Sequence, residues 1–185
     1  MAIIDKIQGT FEKLTNDDTR LNSAEITTIQ QAYNAMQLGY LKIELYLQHV
    51  QNPEVKEALR ELRDEFVKPN LEKPRRILEK SGIPFLNMNV EGRIGNANPQ
   101  RGTVPTGAFS LVLRDEEALL DTVYSLQTTI TSLQAGALVA VRGDVRDYFL
   151  NARDAAMDQW RKIGAVAYKL APQAIPPTMS GVAPK

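Results

Sequence analysis

The chain contains no cysteine. Disulfide scaffolds, thiolate metal sites and a cysteine nucleophile are therefore excluded. It contains one histidine, His49, so a site needing two imidazoles from one chain is excluded as well. Net charge is also missing, because 22 Lys and Arg balance 22 Asp and Glu. That balance disfavours a general electrostatic grip on nucleic acid or on an anionic membrane. No window approaches the ~18 uncharged apolar residues of a transmembrane helix. The opening MAIIDKIQGT carries Asp5 and Lys6 within its apolar stretch and does not read as a signal peptide. The default compartment is the cytoplasm. What remains is 185 residues, 43% hydrophobic and 24% charged, the composition of a soluble globular protein of one domain or at most two small ones.

The strongest pattern present is a heptad seam. It runs through Ile26, Ile29, Tyr33, Met36, Tyr40, Ile43, Leu47 and Val50, alternating steps of three and four. Such a seam makes one helix face apolar, over roughly 42 Å at the rise of an α-helix. Asn22 stands as its N-cap, Glu25 as the acid that reaches back, and Leu21 and Ile26 as the hydrophobic staple. These signals predict a first helix over 23–51. Asn52-Pro53 then opens a second, with Val55, Leu59, Leu62 and Phe66 on its seam. Pro69 and Pro74 interrupt it, and the pattern predicts a helix over 53–81 that is kinked or locally unwound near 68–74. Leu119, Val123, Leu126, Ile130, Leu133, Ala137 and Ala140 predict a third helix over 114–141. Val145, Phe149, Ala152, Ala156, Gln159, Ile163, Val166 and Leu170 predict a fourth over 144–170, stopped by Pro172. The two halves are weakly repeated. Asn52-Pro53-Glu54-Val55-Lys56-Glu57 resembles Arg142-Gly143-Asp144-Val145-Arg146-Asp147, and each opens the second helix of a pair. Gly136, Ala137, Ala140, Ala152, Ala155, Ala156 and Ala165 let the third and fourth helices approach closely.

Residues 82–110 are punctuated by Pro84, Gly92, Gly95, Pro99, Gly102, Pro105 and Gly107, the signature of a loop, with a short extended piece around Leu86–Val90. Connections within helical bundles run to about 2–8 residues. A crossover that carries the chain back along a bundle of ~40 Å needs at least ~12 residues, which this loop supplies. The fold class expected is all-α: a four-helix bundle of ferritin-like type, two antiparallel hairpins joined by a long crossover. The domain plan is an N-terminal segment 1–20 with a short helix through Ile3, Ile7, Phe11 and Leu14, the bundle at 21–171, and a Pro-rich tail at 172–185.

A bundle of this kind raises the question of a dimetal site, which requires inward Glu on all four helices and Glu-x-x-His on two. Glu-x-x-His does not occur, since Tyr46 stands three residues before His49. His49 itself lies one residue off the seam, facing out. Asp121, Asp154 and Asp158 fall on outward positions, whereas Glu44, Glu65 and Glu72 flank the first two seams as salt-bridge partners would. Gln159 is the polar residue on the fourth seam, either fixing register or contacting a ligand in the core. Pro69 and Pro74 either shape the second helix around its neighbours or open a pocket or protein-binding surface. Lys73-Pro74-Arg75-Arg76 reads as a solvated basic face. Trp160, beside the seam, fits either the underside of the crossover or a subunit interface. No Gly-x-Ser-x-Gly, P-loop or Gly-x-Gly-x-x-Gly occurs. The residues thus offer no catalytic group, no metal ligand set and no cofactor site.

Several local motifs resemble one family. They are Leu21-Asn22-Ser23-Ala24-Glu25-Ile26, the hairpin Gln48–Glu57, Ser81-Gly82-Ile83-Pro84, Gly143-Asp144-Val145-Arg146-Asp147-Tyr148-Phe149 and Ile175-Pro176-Pro177. Together they resemble domain of unknown function 3231, a family of spore-forming bacteria whose members are often labelled spore-coat-protein-like. The similarity covers most of 21–177. Members of that family often carry a His in the second helix near the point where this chain has Asn70, and Pro69 and Pro74 are unusual for it. The resemblance implies a ferritin-like bundle without enzyme activity and a structural or assembly role in the spore. The expected function is a non-enzymatic structural or interaction protein, spore-coat-associated. The alternative is a binding module holding an apolar small molecule or a partner peptide, in the bundle core or at the kinked second helix. The expected partners are a second copy, as a homodimer, and other coat or structural proteins; neither nucleic acid nor membrane is expected.

Overall fold

The computed structural model describes residues 20–85 and 114–172. The helix expected between Ile3 and Leu14, the extended piece at 86–90, most of the crossover and the Pro-rich tail lie outside the described residues. The described chain is an all-α four-helix bundle. α1 spans Ser23–His49. The second rod is continuous and has three parts: α2 (Pro53–Glu61), a π-helical turn (Leu62–Val67) and α3 (Lys68–Lys80). α4 spans Asp115–Val139 and α5 spans Gly143–Leu170. α1 packs against the second rod and α4, and α5 packs against the same two from the other side.

The four seams form the core. Ile29, Tyr33, Met36, Tyr40, Ile43 and Val50 are buried from the first, and Val55, Leu59, Leu62 and Phe66 from the second. Leu119, Val123, Leu126, Leu133, Ala137 and Ala140 follow from the third, and Val145, Phe149, Ala152, Ala156 and Ile163 from the fourth. Burial removes apolar area from water at about 25 cal/mol per Å², and the 3.6-residue period puts each seam on one face. The small residues of α4 and α5 serve close approach. A Cβ added at Gly136 would stand 2.5 Å from Cε1 of Phe149, so α5 seats its largest fully buried side chain where α4 has none.

The second rod corrects the sequence expectation at the prolines. The backbone is helical throughout Pro53–Lys80 and does not unwind at 68–74; the irregularity is the π turn just before Pro69. In that turn the Lys68 N–H reaches back five residues, to the carbonyl of Arg63. The register shift places Pro69 in the first turn of α3, where a missing N–H costs little. Asn70, buried beside it, donates Nδ2 to the carbonyl of Phe66 at 2.8 Å. α3 ends where Ser81-Gly82 predicts. Gly82 takes φ +66°, and Gly82 and Ile83 donate their N–H groups to Glu79 and Leu78, each at 3.0 Å.

Two helices are shorter than their seams. α1 ends at His49 rather than 51 and α4 at Val139 rather than 141. Val50 and Ala140 are extended and still donate to the carbonyls of Tyr46 and Gly136, whereas the two N–H groups after each go to an acid from another helix. Glu25, 1% exposed, first completes the expected capping box. Its Oε2 accepts the Asn22 N–H at 3.0 Å, and its own N–H donates to Asn22 Oδ1 at 2.9 Å. Its second oxygen, Oε1, then accepts the N–H groups of Val141 at 2.8 Å and Arg142 at 2.7 Å. Beyond the other end of α1 the roles reverse. Asp115 Oδ1 and Oδ2 accept the N–H groups of Gln51 and Asn52, both at 2.8 Å. Each end of α1 is thereby tied to the opposite end of α4.

Two predictions follow from this packing. Glu25→Ala leaves three backbone donors without their acceptor and is expected to cost about 2–4 kcal/mol, against about 1 kcal/mol for Asn22→Ala, which removes only the cap. Urea titration of both variants checks this, and equal costs would refute the tie to the α4–α5 turn. Gly136→Ala is expected to lower stability by about 1–3 kcal/mol through overpacking on Phe149, although alanine favours a helix by about 1 kcal/mol. A raised melting midpoint would show that the phenyl ring yields freely.

Candidate functional site

The acids weighed at the sequence level are all engaged by cations. Glu44 Oε1 accepts from Arg63 Nη1 at 2.7 Å, and Arg63 also forks onto Asp64, with Nε–Oδ1 at 2.8 Å and Nη2–Oδ2 at 2.9 Å. Glu65 faces Lys162 at 3.3 Å, and Glu72 faces Arg75 at 3.5 Å. Asp154 and Asp158 pair with Arg153 and Arg161 on α5. Asp121 departs from its expected outward position. It turns toward α1, where it accepts from the phenol of Tyr46 and pairs with Lys42. Lys42 Nζ also donates to Ser125 Oγ at 2.8 Å. Among the described residues no three His, Cys, Asp or Glu side chains converge as a metal site.

The remaining candidates sort in the same way. His49 is exposed, as expected, with Nδ1 2.8 Å from the Leu45 carbonyl. Gln159 is buried on the α5 seam. Trp160 is half-buried; its Nε1, like the phenol oxygen of Tyr148, is buried without a hydrogen-bond partner among the described residues. Pro74 is buried, Pro69 exposed, and Arg75 and Arg76 of the basic run face Glu72 on their own helix. Burial, and then the hydrogen bond to Asp121, holds the Tyr46 phenol well above the usual tyrosine range. Burial alone raises that of Tyr148. The Arg63 fork, with help from Lys68, holds Asp64 well below the usual carboxylate range, and Arg142 does the same for Asp144 to a lesser degree.

Beside the π turn a hollow of about 60 Å³ lies among Met36, Gly39, Tyr46, Leu62, Phe66 and Leu126. That is room for a few waters, against the ~300 Å³ or more of small-molecule sites. Among the described residues that hollow is too small for the ligand expected in the core or at the second rod. A larger hollow, about 440 Å³, opens elsewhere, between α1 and α4. Thr28, Ala32 and Ala35 line one wall; Thr128, Ser132 and Ala135 line the other.

The surface around that hollow is the feature sequence reasoning missed. Residues 26–41 and 122–141 contain no charged side chain, whereas the second rod carries 15 charges in 28 residues. Leu38 (58% exposed), Leu45, Tyr124, Leu138 (77% exposed) and Val139 are exposed on α1 and α4. All but Val139 belong to outward stripes with the same three–four spacing as the core seams. On α1 the stripe is Gln31, Ala35, Leu38, Lys42 and Leu45; on α4 it is Tyr124, Thr128, Thr131, Ala135 and Leu138. Its charges, Lys42 and Asp121, pair with each other. The signal was available in the charge distribution along the chain, but reading it as a surface required knowing that α1 and α4 are neighbours.

These observations define an all-α four-helix bundle in which the candidate acids are paired with cations and the uncharged stretches of α1 and α4 lie side by side. The chain belongs to the family described as protein of unknown function (DUF3231), whose model matches residues 10–169. Among solved structures it is similar to a protein of Bacillus halodurans provisionally described as a spore coat protein. The two share 15% identity with a TM-score of 0.68, over 85% of this chain and 94% of that one. At that identity the likeness is one of fold. A comparison with curated protein sequences finds no match.

The Arg142–Asp144 pair yields a pH prediction. A carboxylate whose pKa is lowered on folding contributes stability that is present above its unfolded value, about 3.9, and lost as pH falls through the folded one. Asp144→Asn is therefore expected to flatten the acid limb, so that the wild type loses more stability than the variant between about pH 5 and about pH 2. Parallel acid limbs in urea titrations would show that the pair is not coupled to folding.

Proposed function

We propose that this protein is a non-enzymatic structural or interaction protein, associated with the spore coat, that works through a docking face rather than an internal site. The uncharged α1–α4 surface carries this reading. Depletion of charge together with exposed aromatic and aliphatic residues is the compositional mark of an interface core, and ordinary surface helices carry charge instead. The family membership and the coat description of the Bacillus halodurans relative support the coat assignment. Homodimers and other coat or structural proteins are the partners this reading calls for.

The finer architecture is part of the same proposal. We read 21–171 as one ferritin-like bundle of two antiparallel hairpins, with a crossover between α3 and α4. The ties of Asp115 to Gln51 and of Glu25 to Arg142 support it, as do the Lys162–Glu61 and Lys169–Glu54 pairs between α5 and α2. A second reading, a binding module for an apolar small molecule or partner peptide, draws on the 440 Å³ hollow between α1 and α4.

An immunoblot of the producing organism tests the coat assignment by comparing vegetative lysate with washed, extracted spores. Enrichment in the coat extract is the expected outcome. A band confined to vegetative cells would remove the coat association and leave the binding module as the better reading.

A further inference from the structure

We infer that the α1–α4 face is a self-complementary interface that takes a second copy of this chain, related by a two-fold axis. The inference deepens the interaction reading above by naming the surface and its occupant; it does not depend on the spore coat.

Charge points to a second copy. A two-fold contact brings identical residues together, so a face with unbalanced charge repels itself, and a foreign partner is ordinarily selected by complementary charge. Here residues 26–41 and 122–141 are uncharged, and Lys42 is already neutralised by Asp121 within one copy. Two such faces meet without repulsion.

Shape points the same way. An isologous interface needs both protrusions and recesses on one patch. The recess is the 440 Å³ hollow walled by Thr28, Ala35, Thr128 and Ala135. The protrusions are Leu38, Tyr124 and Leu138 on the same two helices. The outward three–four stripes add a third argument, because that spacing is the one at which helices interlock with other helices.

The area is sufficient. From Thr28 to Leu45 the face runs about 30 Å with its side chains, and two helices span about 20 Å across. That is about 600 Å² per copy and about 1,200 Å² for the pair, the lower edge of stable specific interfaces.

Light scattering coupled to gel filtration of the full chain provides the test. The expected mass at micromolar concentration is twice 20.6 kDa. The double variant Leu38→Glu/Leu138→Glu alters two exposed side chains and is expected to reduce the mass to 20.6 kDa while its helical circular dichroism persists. Tyr168→Glu, which changes an exposed aromatic on α5, is expected to remain dimeric. The natural absence of cysteine allows a second readout: Ala135→Cys supplies the only thiol, expected to react with maleimide at least about tenfold more slowly in the dimer than after dilution to monomer. A wild-type monomer at high micromolar concentration would overturn the inference. So would a double variant that stays dimeric, a Tyr168→Glu variant that dissociates, a thiol equally reactive in both states, or a small molecule seated in the hollow of a monomer by native mass spectrometry. A coat-negative immunoblot with a dimer sensitive to Leu38 and Leu138 would leave this interface standing.

Discussion

A carboxylate that accepts the first free N–H groups beyond a neighbouring helix holds this bundle together, and the chain uses the device twice. Glu25 receives Val141 and Arg142, and Asp115 receives Gln51 and Asn52. Hydrogen bonds to a charged acceptor contribute about 1.5–3 kcal/mol each, which places these four among the strong directional contacts of the bundle. Their geometry also sets helix length. Val50 and Ala140 leave the helix while staying buried, so that the N–H groups after them are free for the acid. The two turns, Val50–Val55 and Ala140–Val145, share one plan: a buried extended residue, two donated N–H groups, an N-cap position and a buried valine. The weak internal repeat in the sequence is the trace of that plan.

With the ends clasped by two acids, the rest of the charge is distributed unevenly. The second rod and α5 carry most of it, in pairs such as Glu61–Lys162 and Glu54–Lys169 that bridge the two at the surface. Exposed pairs of this kind contribute little, about 0–1 kcal/mol each, so their value lies in keeping that side hydrated and free of contacts. α1 and α4 carry fewer charges, and none over residues 26–41 and 122–141. Function is carried by sites grafted on a fold rather than by the fold itself. A fold shared at 15% identity with the Bacillus halodurans protein fits that view: a core needs its pattern and volume preserved, not its particular side chains.

The proline-bearing rod shows how a local rule is met by a global solution. Proline costs ~3 kcal/mol inside a regular helix. The π turn at Leu62–Val67 shifts the register before Pro69, Asn70 supplies a donor to Phe66, and Leu62, Phe66 and Val67 remain buried. Nothing in the prolines themselves announces a π turn, because its stability comes from the apolar side chains it buries against α1 and α5.

The sequence by itself determined what depends on periodicity and local chemistry. Four seams at three–four spacing gave four helices, Asn22 with Glu25 marked the first start, and Ser81-Gly82 marked the close of the second rod. It determined the absence of thiolate and paired-histidine chemistry through composition alone. Tertiary structure decided everything that needs two helices at once. Glu25 reads as a cap until the α4–α5 turn is beside it, and Asp121 reads as outward until Tyr46 and Lys42 face it. Two uncharged stretches more than 80 residues apart become one surface only when α1 and α4 lie side by side. Helix formation is governed by neighbours three and four residues away, whereas a clasp or a face is made between residues that only packing brings together.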